Sequence, residues 1–248
     1  MIVYLAGEVY GKEVFESVNY NFNRLDSYYY VRNDKEFISL IPKYKDYLLD
    51  SGAFTFIMNK KIKVDIDVYT DAYIDFINQH NIQKFFEMDV DSIFGYDKVK
   101  KLRRRIESLT GKQSIPVYHM NRGIEDWKQM TKDYKYVSIG IAGKDVEWGD
   151  YNAFYKFVMS AKENNCNVHG LGITGMKSLE RVPFYSVDSS GWTTGNRYKS
   201  IFHFDGLRVK NVKVDLTNKR IHDHRKLAKH NLLQWQLFSQ SMEGKLII

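Results

Sequence analysis

The stretch KFFEMDVDSIFGYDKVKKLRRRIESLTGKQSIPVYH, residues 84–119, decides the fold. It opens with an apolar, aromatic-rich run from Lys84 to Val90. Val99, Leu102, Ile106 and Leu109 then recur at helical spacing, and a second run, Ile115 to His119, follows. Short runs of this kind read as buried strands. A buried strand, a helix and another buried strand predict a parallel βαβ unit, because parallel strands need a long crossover between them.

The same alternation extends in both directions. Ile2 to Ala6, Tyr47 to Leu49, Tyr136 to Ile141, Asn167 to Ile173 and Phe184 to Val187 read as further strands, with an eighth within Ile201 to Val214. Tyr69, Tyr73, Phe76 and Ile77 share one helical face, as do Tyr151, Phe154, Tyr155 and Val158, and Leu227, Leu233, Trp235 and Leu237 approximate one. Seven or eight units in roughly 220 residues predict a compact (β/α)8 TIM barrel, with a doubly wound open sheet as the rival. No linker or internal repeat divides residues 1–248, so a single domain is expected, with a last helix at 222–243.

Composition narrows the class. Apolar residues are 44% of the 248, enough for one large core, and three prolines exclude collagen-like or low-complexity chains. No run approaches the ~18 apolar residues of a membrane helix, and no signal peptide is visible. Cys166 is the single cysteine, which excludes an internal disulfide or a multi-cysteine zinc site and fits a reducing cytosol. The net charge of +7 admits a polyanionic partner such as nucleic acid.

In either fold, function belongs at the C-terminal ends of the strands. There stand Asp50-Ser51-Gly52-Ala53-Phe54; Glu87, Asp89 and Asp91; His119, Asn121 and Arg122; Gly140-Ile141-Ala142-Gly143; His169-Gly170-Leu171-Gly172; and Asp188-Ser189-Ser190. Taken singly, Asp50 and Asp188 also read as helix caps or turn residues, and His169 as a core histidine. Glu87 and Asp89 alternate with Met88 and Val90 and are expected to face inward, where a bare charge needs a partner or a task. Gly170 to Gly175 fits G-x-G-x-x-G but lacks the early position and the acidic residue of a dinucleotide site. Lys98, Lys100, Lys101, Arg103, Arg104 and Arg105 form either a solvated helix face or a phosphate-contacting one, and a second basic cluster runs from Lys219 to Lys229.

The ordered set Asp-Ser-Gly-Ala-Phe, an acidic strand end, Gly-Ile-Ala-Gly, Gly-Leu-Gly and Val-Asp-Ser resembles the tRNA-guanine transglycosylase superfamily over roughly residues 45–240. The likeness is greatest to its compact phage and bacterial relatives that insert 7-deazaguanines into DNA. It implies a (β/α)8 barrel, with Asp188 as nucleophile, Asp50 handling protons and Asp89 reading the amidine edge of the base. Ser51, Gly52, Phe54, Gly140, Ile141, Ala142, His169 and Gly170 would line the base site, with His119 near a position that contacts the base carbonyl. His230-Asn231 resembles a late His-Asn pair whose His binds zinc with three cysteines. With one cysteine here, the zinc-binding subdomain is expected to be absent, which favours DNA over tRNA.

The implied reaction needs no metal and no other cofactor. Two carboxylates suffice, one forming a glycosyl-enzyme intermediate and one moving the proton. The expected partners are DNA with a flipped or single-stranded base and a free preQ0-like 7-deazaguanine, met in the cytoplasm of the cell or of a phage host. Lys100, Lys101, Arg103, Arg104 and Arg105 would hold phosphates, and Tyr185, Trp192 and Tyr198 could stack on the base. Three rivals stand: a tRNA transglycosylase, a metal-dependent glycosidase or nuclease using Glu87, Asp89 and Asp91, and an inactive nucleic-acid-binding barrel.

Overall fold

The structure is a computed structural model describing residues 1–8, 10–53, 55, 64–140, 151–173, 175–195, 200–212 and 223–244. Its centre is a seven-stranded, wholly parallel sheet. The strands are β1 (Ile2–Ala6), β2 (Asn23–Ser27), β3 (Asp46–Asp50), β4 (Val117–Tyr118), β5 (Tyr136–Gly140), β6 (Asn167–Leu171) and β7 (Ser186–Ser189). They lie in the order β3-β2-β1-β7-β6-β5-β4. Residues 84–87 run between the two edge strands. Leu49 N–H donates to the Lys84 carbonyl at 3.0 Å, Phe86 N–H to Leu49 at 2.9 Å and Ile115 N–H to Phe85 at 2.8 Å. The result is an α/β architecture that is (β/α)8-like.

Alternation along each strand separates two apolar layers. Tyr4, Leu25, Leu48, Phe86, Ile115 and Val117 form an inner cluster. Val3, Leu5, Leu49, Phe85, Val137, Val168 and Val187 join the larger layer between sheet and helices. Each large side chain so buried contributes about 1.5–3 kcal/mol. The helical stripes fall as their spacing predicts. In α1 (Ile66–Gln79), Asp65 caps the first turn and Tyr69, Tyr73, Phe76 and Ile77 are buried. In α2 (Tyr96–Thr110), Val99, Leu102 and Ile106 are buried, and Gly111 closes the helix in the left-handed conformation.

Two departures from the sequence reading stand out. Ile201–Phe204 and Val209–Val212 form an antiparallel hairpin separate from the parallel sheet. The hairpin is stapled to the last helix, α3 (His224–Met242), where Asn231 accepts from Phe202 N–H at 3.0 Å and donates to the Ser200 carbonyl at 3.0 Å. The strand that sequence reading passes over is β2, Asn23-Arg24-Leu25-Asp26-Ser27. Its helix-facing positions carry a buried Arg24–Asp26 ion pair instead of apolar residues, so the hydrophobic pattern of a buried strand is missing. Arg24 lies 4.8 Å from the Phe15 ring centroid and donates to the Leu5 carbonyl at 3.2 Å, which satisfies part of the buried charge.

Candidate active site

Strand parity places Asp50, His119, Gly140, His169 and Asp188 on the inner side of their strands near the C-terminal rim. Asp50 accepts from Gly52 N–H at 2.9 Å in the turn that follows β3. Gly52 has φ 81°, and a Cβ there would lie 2.6 Å from that of Tyr29, so only glycine fits. Ser51 is buried, and its carbonyl accepts from Tyr69 at 2.8 Å. Ser51 and Gly52 thus fix the turn that aims Asp50. Burial pushes the Asp50 carboxyl up to about 6; the charges of Asp188 and Asp89 add to this and the Gly52 bond opposes it.

Asp188 is held differently. Its Oδ1 accepts from Gly172 N–H at 2.6 Å and from His169 Nε2 at 3.2 Å. His169 is fully buried, and its Nδ1 lies 2.7 Å from Ser186 Oγ, which is hydrogen-bonded in turn to the Tyr136 hydroxyl. Gly170 turns to the helix side of β6, where a Cβ would meet Ile173 and Phe184 at 3.1–3.2 Å.

Asp89 belongs to an ion-pair network. His119 Nε2 lies 2.9 and 2.8 Å from its two oxygens, and Arg122 Nη2 lies 3.3 Å from Asp89 and 2.8 Å from Asp91. Burial acts to lower the His119 pKa, but the hydrogen bond and charge of Asp89 outweigh it, so the net shift is upward. The His119 Nδ1 is buried and has no partner among the described residues. Gly140 makes room for this ring, since a Cβ there would lie 2.8 Å from His119 Cε1.

Glu87 points away from the rim, contrary to the inward expectation, because its strand parity faces the helices. It accepts from Arg103 Nε at 2.6 Å and from Val117 N–H at 2.7 Å. Burial pushes its carboxyl up even with Arg103 beside it. Arg103 is therefore spent inside the fold and is not presented to a phosphate. Lys100 pairs with Asp97 and Arg105 with Asp71, while Lys101 and Arg104 are exposed. Trp192 is a core residue whose indole N–H donates to the Ala6 carbonyl at 2.8 Å. Phe54, Ile141, Ala142, Tyr198 and residues 219–222 lie outside the described residues.

Asp89, Asp91 and His119 each offer a ligand atom, all within 4.8 Å of one another, which is a metal-like grouping. The Arg122 guanidinium already lies against both carboxylates, stacked 4.1 Å from the Tyr96 ring centroid, and supplies the positive charge a metal would bring. His230, which the sequence resemblance likens to a zinc-binding position, lies 2.8 Å from the Phe202 carbonyl through its Nε2.

Ser186 and Tyr136 escaped the sequence reading. Ser186 lies two residues before Asp188 and so shares its face, a signal that period-two counting could have supplied. Tyr136 is read from sequence only as the start of a strand.

No protein-family model and no curated protein sequence matches this chain. Among solved structures, the YdjI aldolase from Escherichia coli K12 is similar in fold, with a TM-score of 0.58 over 98% of this chain and 91% of that one. The two are 6% identical, so the likeness concerns the fold alone. Among the described residues, no helix is long and apolar enough to cross a membrane.

Proposed function

We propose that the chain is a (β/α)8 barrel enzyme that exchanges guanine in DNA for a 7-deazaguanine base. The observation that carries this reading is the unequal treatment of three rim aspartates. Asp50 is pushed up to about 6, Asp188 takes its two donors among the described residues on one oxygen, and Asp89 is clamped by His119 and Arg122. Environments that separate neighbouring carboxylates in this way divide acid, nucleophile and binding roles.

In this reading Asp188 Oδ2 attacks the anomeric carbon of the target nucleotide and the bond to guanine breaks. Asp50 gives its proton to the departing base. The incoming base then returns a proton to the Asp50 carboxylate, and its nitrogen attacks the same carbon, releasing Asp188. Charge on the oxocarbenium-like transition state is offset by the nearby carboxylates. Asp89 offers acceptor oxygens to the N–H groups of a guanine-like edge. The His119 Nδ1, which has no partner among the described residues, is a candidate donor to the base carbonyl. The target base must leave its stack, at a cost of a few kcal/mol.

DNA is favoured over tRNA because one cysteine, Cys166, cannot build a three-cysteine zinc site. The metal-dependent reading draws on the Asp89, Asp91 and His119 grouping, and Arg122 weakens it. The test is denaturation of the protein after mixing with DNA or tRNA, with and without a chelator, and intact mass analysis. A covalent adduct on Asp188 with DNA, insensitive to chelator, is expected. Chelator-sensitive strand cleavage without an adduct would establish the metal reading instead.

A further inference from the structure

We infer that Tyr136, Ser186 and His169 form a directed chain of hydrogen bonds that selects which oxygen of Asp188 reacts, making His169 a positioning residue. The inference rests on the reading of Asp188 as nucleophile.

The direction follows from counting protons. An ionised Asp188 can only accept, so His169 Nε2, 3.2 Å from Oδ1, must donate. A neutral ring with its proton on Nε2 offers Nδ1 as an acceptor. Ser186 Oγ, 2.7 Å away, then spends its single proton on Nδ1. Ser186 is left to accept from the Tyr136 hydroxyl, its other partner. Burial pushes the Tyr136 phenol upward, so it keeps the proton it donates. Every donor is used once and no net charge is added, which suits a wholly buried imidazole.

Packing holds the ring in this orientation. The Tyr4, Phe86 and Tyr136 rings surround it at centroid distances of 6.1, 5.2 and 6.5 Å. Ser138 Oγ donates to the His169 carbonyl at 3.3 Å. Both donors to Asp188, from His169 and Gly172, fall on Oδ1. Among the described residues no hydrogen bond reaches Oδ2, so that oxygen keeps its lone pairs for attack. Two donors on one oxygen also fix the plane of the carboxylate, and a fixed orientation lowers the entropy cost of the displacement.

The chain of donors can be read without substrate. In the full protein labelled with ¹⁵N-histidine, long-range proton–nitrogen NMR reports each tautomer, and the His169→Gln spectrum assigns the signal. The Nε2–H tautomer is expected. Ser186→Ala should convert it to a mixture and slow adduct formation by about tenfold, the worth of one good hydrogen bond, with the KM for free base unchanged. Tyr136→Phe, which removes only the first donor, should act in the same direction by about threefold and serves if Ser186→Ala does not fold. An Nδ1–H or doubly protonated ring in wild type would overturn the chain. So would a Ser186→Ala protein with unaltered tautomer and rate. A wild type that shows the Nε2–H tautomer but captures no DNA would overturn the reading of Asp188 as nucleophile.

Discussion

Two Asp–His pairs lie at the rim, and they are built from the same residue types to opposite effect. His119 grips both oxygens of Asp89 and, among the described residues, has no partner on its other nitrogen. His169 grips one oxygen of Asp188 and has Ser186 on its other nitrogen. Behind the first pair stand Arg122, Asp91, Glu87 and Arg103, a network of full charges. Behind the second, among the described residues, stand the hydroxyls of Ser186 and Tyr136. A carboxylate held at both oxygens by a histidine and at one by an arginine is a fixed acceptor surface, suited to recognition. In the proposed reaction, one engaged at a single oxygen by an imidazole and a backbone N–H keeps the other oxygen for bond formation. What lies behind the histidine sets, in that reaction, the role of the aspartate.

The largest expected effect tests that asymmetry directly. Asp188→Asn should cut adduct formation by about 10³-fold or more, as loss of a nucleophile does. Asp89→Asn should still form adduct but raise the KM for free base by about tenfold, the loss of one charged hydrogen bond. Single-turnover capture of labelled DNA measures both. Equal losses of adduct in the two variants would erase the distinction between the pairs.

Next is the anchor of the charged side. Arg103→Met leaves Glu87 buried without its main counter-charge, and breaking a buried pair from one side costs about 3–5 kcal/mol. Urea unfolding should show that loss, and adding Glu87→Gln should restore much of it. A stable Arg103→Met protein with weakened DNA affinity would return Arg103 to the phosphate-binding set.

The contrast also marks what could be read from the chain alone. Strand and helix alternation was legible because the layer between sheet and helices is apolar, as in Val137 and Ile139 or Val99 and Ile106. It failed at β2, where an ion pair replaces the expected apolar positions, and at the hairpin, where β-forming residues pair only with each other. Asp50, His119 and Asp188 were legible because each ends or follows a strand run, and His169 because it stands within one. Arg103 was not, because a helix face shows its charges in sequence but not which of them turns inward. Ser186 was masked by its small size within an apolar run.

A smaller effect separates Asp50 from both pairs. Its carboxyl titrates at about 6 in the folded chain, above the ~3.9 of an unfolded aspartate. Between these values the folded state holds the proton more tightly, so the contribution of Asp50 to stability is complete below about pH 4 and declines as pH rises through 6. The decline amounts to at most about 3 kcal/mol. Asp50→Asn should abolish it, so the stability of the variant relative to wild type should rise from pH 4 to pH 7. Parallel urea midpoints across that range would show that Asp50 titrates as an ordinary surface carboxylate.

The smallest effect concerns the outer face of α2, on the charged side of the comparison. Lys101 and Arg104 are exposed, whereas Arg103 on the same helix is bound to Glu87 and Arg105 pairs with Asp71. Exposed charges of this kind change stability by less than about 0.5 kcal/mol, so Lys101→Gln with Arg104→Gln should unfold at the wild-type midpoint. If both reach phosphates, each neutralises one, and the log–log salt slope of DNA affinity should flatten by about 0.9 per residue on duplex DNA. Binding of the free base should not change, since neither residue belongs to the rim. A titration of labelled duplex at several salt concentrations measures the slope. An unaltered slope would make this helix face plain solvated surface and would leave the basic start of α3, His224 to Lys229, as the place to look for the DNA backbone.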